Sequence, residues 1–462
     1  MAANLTKQLD ALYEYDREPV PGNQLKSPGN FMGVYAGEHV AGTEFVIGPL
    51  FVAHGIAAGD LFLGLLIGNI LAVLSWAFIT APIATRVRLN MYWQLRKITG
   101  PNLTFVYNIV NAVLFCFLAG AMISVAATAV GIPFDMKMPE LSDMYPNSVS
   151  WVVIVLLVGS VVTLLAILGF EKLSNFSKIS SPWMFLVFVA AGLSVLPQLG
   201  VQSLGDFWRV ANERIWTGIP MEGQTKYTFW HVMFFAWFCN LAMHIGMADL
   251  TILRYAKKWQ YGFFSAFGMY LGHYVAWIAS GILCAAALGR VTPGPIAYLG
   301  AGTAGIICVV IAGWTTANPT LYRVGLALQT VTPDWKRWKV TLVAGILTTI
   351  AALFPAIMMK LLDFVFIYGL VLMPMGAVIF ADYYLIPRLG LRRDYAELKK
   401  ILFSWPAASA WLLTEFICFV LLPGELFFKA LPGWFIAIII YIACSYLQQS
   451  GTTIQKAGVQ ES

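Results

Sequence analysis

Charge is the feature that this sequence has least of. Only 11% of its 462 residues are charged, whereas 59% are hydrophobic, and the mean hydropathy is +0.74. Because a soluble domain has about 25% charged residues, the composition excludes a water-soluble globule and a disordered chain. The six cysteines lack CxxC spacing, so neither a disulfide framework nor a zinc site is indicated. The polar first 30 residues contain no apolar core of a signal peptide, and we expect no cleavable one.

Signatures of ATP use and of catalysis are also missing. The sequence has no GxxxxGK[ST] phosphate loop, no HExxH motif and no GxSxG motif. An ATP-driven pump and an intramembrane enzyme are therefore not indicated, and no soluble output domain remains for a sensor. We expect no catalytic residue and no cofactor beyond a coupling ion, Na⁺ or H⁺.

Long apolar runs account for most of the chain. A membrane-spanning helix needs roughly 20 mostly apolar residues. Twelve such runs are present, at 31–57, 59–85, 103–131, 149–170, 179–198, 227–251, 261–289, 296–329, 338–359, 361–387, 401–424 and 432–448. The pattern predicts an all-α membrane protein with 12 transmembrane helices.

Basic residues follow an alternating topology for these spans. With the N-terminus in the cytoplasm, 22 of the 29 Lys and Arg residues lie on the inner side, among them Arg254, Arg323, Arg337 and Lys456. The seven outer ones are Lys137, Arg209, Arg214, Lys226, Arg290, Lys360 and Lys429. Since cytoplasmic loops carry an excess of Lys and Arg, we predict a multi-pass protein of the cytoplasmic membrane with both termini inside.

Polar residues enter two spans that are five spans apart. The first contains Glu38, His39 and Glu44 between glycines, and the sixth contains Asn240 and His244 near Gly246. Paired interrupted helices are typical of transporters built from inverted repeats, which bind substrate near the midplane. We predict repeats at 31–198 and 227–400, an extracellular loop at 199–226, two further helices at 401–448, and cytoplasmic tails at 1–30 and 449–462. The loop either covers a vestibule or lies at the interface.

The roles of these polar groups stay open at the level of sequence. Glu44 could bind a donor-rich or cationic substrate, carry a coupling proton, or form a structural pair with His244 or another helix. Since Glu38 and His39 are adjacent on a helix, we expect at most one to face the site. Asn240 and His244 are four residues apart and can share a helix face. For the other histidines, His273 included, we expect a structural role in the bundle.

The eighth span adds adjacent threonines, Thr315 and Thr316, ahead of Pro319. Hydroxyl and carbonyl oxygens are hard ligands suited to an alkali cation. The alternative is that both hydroxyls bond back to their own helix. Beside an interrupted first helix, we favour a cation site.

Four further stretches are informative together: Gly48-Pro49-Leu50 with GLLIGN at 64–69, Trp314-Thr315-Thr316 with Asn318 and Leu321-Tyr322, Pro374 with Gly376 to Tyr384, and Arg254-Tyr255-Ala256-Lys257. They resemble the nucleobase:cation symporter family, which comprises cytosine, purine, uracil, allantoin and hydantoin permeases. The resemblance covers residues 30–400. It implies a leucine-transporter-like fold of two inverted five-helix repeats with helices 1 and 6 broken and two extra C-terminal helices.

The resemblance also implies where the ligands bind. A sodium ion would be held by carbonyls near Ala41 and Gly42, by the Ala312 and Thr315 carbonyls and by the hydroxyls of Thr315 and Thr316. The family's substrate lies between spans one, three, six and eight. The expected substrate-binding residues are Glu44, Phe115, Ala119, Trp237, Asn240, His244 and Asn318. Phe115 and Ala119 stand where hydantoin-type members have Trp and Gln. The sequence therefore does not identify which compound of the family's substrate class is bound.

We therefore expect a secondary active symporter that imports a small nitrogenous compound, such as a nucleobase, allantoin or a hydantoin, coupled to Na⁺ or H⁺ by alternating access. The alternative is a transporter of a cationic solute, thiamine-like or guanidinium, selected by Glu38 and Glu44. The expected partners are the substrate, the cation and the bilayer. We expect no nucleic acid, and either a monomer or a loose oligomer.

Overall fold

A computed structural model describes residues 2–136, 138–139, 143–287, 292–356 and 361–460. Lys137, Arg290 and Lys360, which the topology prediction places on the outer side, lie outside these residues, and so does the side chain of Lys456. Within the described part of the chain the structure is helical, with one isolated bridge between Ala57 and Thr217 and no β-strand. This agrees with the expected all-α class.

Nineteen α-helices occur in the described ranges. They are α1 Ala2–Asp10, α2 Pro28–His39, α3 Glu44–Ala53, α4 Ala58–Ser75, α5 Ala81–Val87, α6 Met91–Thr99, α7 Pro101–Val130, α8 Val149–Ile167, α9 Phe170–Val195, α10 Leu204–Val210, α11 Phe229–Phe238, α12 Leu250–Leu253, α13 Val275–Ala286, α14 Pro293–Val331, α15 Arg337–Ala352, α16 Leu361–Phe380, α17 Tyr395–Lys399, α18 Trp405–Phe416 and α19 Leu426–Gln460.

Eight helical segments of the described chain are long and apolar enough to cross a membrane. They are Ala58–Val87, Pro101–Phe134, Val149–Ile167, Phe170–Leu199, Trp259–Ala286, Pro293–Val331, Phe364–Leu385 and Leu426–Ser450. Three shorter apolar helical segments are Glu44–Ala53, Phe229–Phe238 and Trp405–Leu421. The chain is thus a multi-pass membrane protein, whereas the count of twelve spans and the orientation of the termini stay predictions.

The chain leaves helical geometry inside the first apolar run. Helix α2 ends at His39, and Val40 adopts φ −86° and ψ 62° although its amide still bonds the Ala36 carbonyl. Helix α3 begins at Glu44, whose amide bonds the Ala41 carbonyl at 3.1 Å in a tight turn. The four residues between the two helices lie against α14.

A longer non-helical stretch follows α11. From Cys239 to Asp249 the chain runs in successive turns, and Met247 has a positive φ of 63°. Gly376 of α16 packs so closely on this stretch that a side chain at that position would overlap the Ile245 carbonyl. Gly272, just before α13, would overlap the His39 carbonyl in the same way. Glycine at these two positions lets neighbouring helices approach both non-helical stretches.

Candidate functional site

The two non-helical stretches enclose a cavity. Its volume is about 60 Å³, and both stretches contribute to its wall together with α7, α14, α16 and the turn before α13. Its polar lining residues are Glu38, His39, Thr43, Glu44, Asn240, His273, Thr316 and Thr320. Its larger apolar lining residues include Leu118, Met122, Phe235, Val365, Phe366 and Tyr368. This lining offers a small organic molecule one polar side and one apolar side.

A buried charge cluster closes one side of this cavity. Arg323 of α14 donates to both carboxylate oxygens of Glu38, at 2.5 and 3.2 Å, and also pairs with Asp249. Asp249 accepts a further bond from the Trp76 indole at 2.6 Å. The three charged side chains are at most 6% exposed. Each carboxylate oxygen of Glu38 and Asp249 accepts an N–H group, whereas Arg323 Nε has no partner among the described residues. The cluster joins α2 and the second non-helical stretch to α14.

Arg323 corrects one step of the topology argument. It belongs to the set of inner charges, yet its guanidinium is buried between two carboxylates rather than exposed in a loop. Arg254 and Arg337 of the same set are also buried, since backbone carbonyls accept their N–H groups. A count of basic residues cannot separate exposed loop charges from arginines that bind carbonyls or carboxylates inside the protein.

Glu44 lies in the cavity wall and is nearly inaccessible. Its carboxylate accepts a hydrogen bond from the Trp277 indole of α13. Of the alternatives for Glu44, the contact with another helix is therefore the one observed, and its partner is Trp277 rather than His244. The same carboxyl group also has a hydrogen bond with the Thr43 side chain.

Two imidazoles form the polar wall beside Glu44. His39 Nδ1 lies 2.8 Å from the Tyr35 carbonyl, so this nitrogen carries a proton and Nε2 is left without a partner among the described residues. His273 Nε2 lies 3.4 Å from the Asn240 amide nitrogen, and its Nδ1 has no partner there either. The two rings meet edge to face at 5.1 Å. Unpaired ring nitrogens in a cavity wall are groups that a ligand can satisfy.

This arrangement departs from two expectations. Glu38 and His39 both line the cavity, although at most one was expected to face it, since both stand in the last turn of α2, where the helix ends at the cavity. His273 also lines the cavity instead of serving only the bundle. Its position one turn before a tryptophan gave no sign of that role in the sequence.

The predicted substrate residues fall into two groups. Glu44 and Asn240 line the cavity. Outside its lining, Phe115 packs on Tyr368, Trp237 stacks on Phe238, and His244 Nε2 bonds the Trp237 carbonyl at 2.9 Å. Ala119 and Asn318 are buried nearby in α7 and α14, and both amide atoms of Asn318 lack a partner among the described residues.

Of the predicted cation ligands, Gly42, Thr315 and Thr316 have contacts at or near the boundary between the first non-helical stretch and α14. The Thr316 hydroxyl contacts the carbonyls of Glu38, at 3.1 Å, and Ala312, at 3.0 Å, and the Thr315 hydroxyl contacts Ala312 at 3.1 Å. Gly42 is so close that a Cβ there would lie 3.4 Å from the Val309 carbonyl. Ala41 is buried in the same stretch. Both hydroxyls thus bond back to their own helix, which is the stated alternative to a cation site, and the cation site stays a prediction.

The N-terminal segment packs beneath the charge cluster. Glu14 accepts hydrogen bonds from the hydroxyls of Tyr255 and Tyr322, each at 2.8 Å, and from the Phe170 amide at 3.2 Å. Arg254 donates to the carbonyls of Glu14 and Tyr15, both at 2.7 Å. One segment thereby ties together α9, α14 and the chain after α12, and it covers this end of the bundle.

Solved structures provide the comparison for this geometry. No family model and no curated protein matches the sequence. Mhp1, a nucleobase-cation-symport-1 family transporter in a closed conformation with bromovinylhydantoin bound, is 16% identical, with coverage of 96% of this chain and 97% of Mhp1 and a TM-score of 0.72. A substrate-bound Na⁺-coupled sialic acid symporter is 13% identical, with coverage of 96% and 94% and a TM-score of 0.67. MhsT in complex with L-phenylalanine is 15% identical, with coverage of 91% and 98% and a TM-score of 0.55.

These likenesses extend over almost the whole chain. They show that the chain has the fold of these transporters, and they confirm the resemblance to nucleobase:cation symporters at the level of the fold. The ligands named for the three proteins differ in chemistry. The fold therefore leaves the choice of substrate to the side chains of the cavity.

Proposed function

We propose that the chain is a cation-coupled secondary symporter that imports a small nitrogenous heterocycle by alternating access. The observation that carries this proposal is the enclosed cavity between two non-helical stretches, with unpaired imidazole nitrogens in its wall. A backbone freed from helix geometry inside a membrane is tolerated where it lines a protein cavity. Transporters built from inverted repeats bind substrate at the interface of the repeats, and the cavity lies between residues of both predicted repeats, 31–198 and 227–400.

The lining supports a planar substrate with both N–H and C=O groups. His39 Nε2 offers an acceptor, His273 Nδ1 offers a donor, and Glu44 and Asn240 add further polar atoms. On the apolar side, Phe235, Phe366 and Tyr368 present ring surfaces to a flat molecule. Nucleobases, allantoin and hydantoins combine these features.

A cationic solute is not favoured as the substrate. That alternative depends on Glu38 and Glu44 acting together, but both oxygens of Glu38 already accept bonds from Arg323. Glu44 alone remains, and it is engaged by Trp277. We therefore place the neutral heterocycle first.

The coupling ion that the oxygen set supports is Na⁺, held by carbonyls of Ala41, Gly42, Ala312 and Thr315 and by the two threonine hydroxyls. The Thr316 hydroxyl supports this proposal, because it contacts the carbonyls of Ala312 and Glu38 and Thr316 lines the cavity. A proton carried by Glu44 is the alternative. The proposal also includes the direction of transport, which is import, and the topology, with both termini in the cytoplasm.

Uptake into proteoliposomes tests the proposal. Radiolabelled uracil, cytosine, hypoxanthine, allantoin and hydantoin are each supplied with a Na⁺ gradient, with a pH gradient, or with neither. We expect uptake of at least one compound to require the Na⁺ gradient, and T316A to abolish that requirement or the uptake. T85A is the matched control, because the Thr85 hydroxyl also bonds the carbonyl four residues earlier but lies away from the cavity. Absence of gradient-driven uptake of all five compounds would overturn the substrate class.

A further inference from the structure

A second, basic groove lies at one end of the helix bundle. It contains about 560 Å³ of empty space between α6 with the Gly100 turn on one side and α17 with Ile401–Leu402 on the other. Its charged lining residues are Arg96, Lys97, Lys400 and Glu397. Three cations and one carboxylate leave the groove with an excess of two positive charges.

Main-chain bonds hold the two walls of this groove together. The Ser404 amide donates to the Thr99 carbonyl, and the Asn102 amide donates to the Leu402 carbonyl, both at 2.9 Å. The Lys97 ammonium lies 3.3 Å from the Glu397 carboxylate across the groove. The groove is therefore preorganised, and binding of a ligand would cost little conformational entropy.

The carboxylate compensates only one of the three cations. Since Glu397 pairs with Lys97, the positive charges of Arg96 and Lys400 remain available. The Arg96 guanidinium lies over the Trp93 ring, 5.3 Å from its centre, so the arginine is oriented at the groove by an aromatic neighbour.

The surroundings fix the depth of the groove relative to a bilayer. Large apolar side chains next to it are exposed, namely Phe105, Leu402, Phe403 and Trp405. Such side chains face lipid hydrocarbon, and tryptophans concentrate at the boundary between hydrocarbon and headgroups. The basic groove thus lies where the apolar belt ends and the headgroup layer begins.

We propose that this groove binds the phosphate-bearing headgroup of an anionic phospholipid. Basic pockets between transmembrane helices on the cytoplasmic side bind such headgroups, and the positive-inside pattern predicts that side for α6 and α17. The acyl chains would lie over the exposed apolar residues beside the groove. The proposal does not depend on the identity of the transported substrate.

Lipid binding to the full chain, purified in detergent and depleted of lipid, tests this inference. Dioleoyl phosphatidylglycerol, dioleoyl phosphatidylcholine and inorganic phosphate are titrated separately, and bound lipid is counted by native mass spectrometry. We expect phosphatidylglycerol to bind in preference to phosphatidylcholine. The variant R96Q/K97Q/K400Q should bind phosphatidylglycerol roughly 100-fold more weakly, since each basic group near a charged surface contributes about a fivefold factor.

A matched variant removes the same charge elsewhere. K257Q/K258Q/K336Q changes three exposed lysines of the same predicted side outside the groove, and we expect at most a few-fold loss. R96Q alone, with an expected loss of about fivefold, replaces the triple variant if that variant does not fold. Equal losses in the two triple variants, equal binding of the two lipids, or displacement of the lipid by equimolar inorganic phosphate would each overturn the proposal.

Discussion

Replacing Arg323 should destabilise the protein far more than replacing an arginine with equivalent partners at the surface. Arg323 pairs with Glu38 and Asp249 at 0% exposure. In R323Q two carboxylates remain buried beside each other without a cation. Removing one partner of a buried ion pair costs about 3–5 kcal/mol, so the unfolding equilibrium should shift by roughly 150- to 5,000-fold.

Arg209 supplies the matched control for this prediction. It also bridges two carboxylates, Asp206 at 3.4 Å and Glu213 at 3.1 Å, but its side chain is 54% exposed. Exposed ion pairs contribute about 0–1 kcal/mol. R209Q should therefore change the free energy of unfolding by less than about 1 kcal/mol, although it removes the same charge and the same number of ion pairs.

A third variant separates lost charge balance from lost packing. E38Q/D249N/R323Q keeps the size of the Glu38 and Asp249 side chains, shortens Arg323 as R323Q does, and removes all three charges. Because neutral replacement of a whole buried charge cluster is far less costly than breaking it, this variant should recover most of the stability that R323Q loses. The measurement is denaturant unfolding in detergent micelles. The reasoning is refuted if R323Q is as stable as R209Q, or if the triple variant is no more stable than R323Q.

Three further variants test other parts of the structure. H273A should raise the KM of any compound transported in the proteoliposome assay by roughly 3- to 10-fold, the value of one hydrogen bond, and an unchanged KM would remove this residue from the binding wall. G272A should cost about 1–3 kcal/mol by overpacking against a carbonyl, whereas G59A, with open space around it, should be neutral or stabilising in the same unfolding measurement. In a chain whose other cysteines are replaced by alanine, E14A should accelerate the reaction of Cys239, a cavity-lining thiol, with a small thiol reagent, because it loosens the N-terminal segment over this end of the bundle. An unchanged rate would show that this segment does not restrict access to the cavity.

The features that could be predicted from the sequence are those that depend on residues close together in the chain. Apolar runs identify a multi-pass helical protein, and the stretch from Pro374 to Tyr384 supported a resemblance that the fold confirms. Polar residues inside apolar runs marked Glu44, Asn240 and Thr316, and all three lie in the cavity wall. A charged or polar group is costly inside a membrane, so its presence there is informative even without a partner.

The partners of those residues could not be predicted, because they are far away in the sequence. Trp277 lies 233 positions after Glu44, and Arg323 lies 285 positions after Glu38. Hydrophobic periodicity gives which face of a helix is apolar, but not which polar atoms of two distant helices meet. Arg323 was assigned to the inner charges for this reason, and the ring nitrogens of His273 could not be distinguished from those of an ordinary buried histidine.

One face of α14 determines how the end of α2 can move. Thr316 and Arg323 are seven residues apart, two helical turns, and therefore lie on the same face. Thr316 contacts the Glu38 carbonyl, while Arg323 binds the Glu38 carboxylate. Moving α2 away from α14 would break main-chain and side-chain bonds together and leave Glu38 unpaired. In the proposed symporter, a cation that leaves the oxygen atoms around Thr316 would weaken the contact between α2 and α14 at Thr316. The ion site and the charge cluster therefore both hold Glu38, one through its carbonyl and the other through its carboxylate.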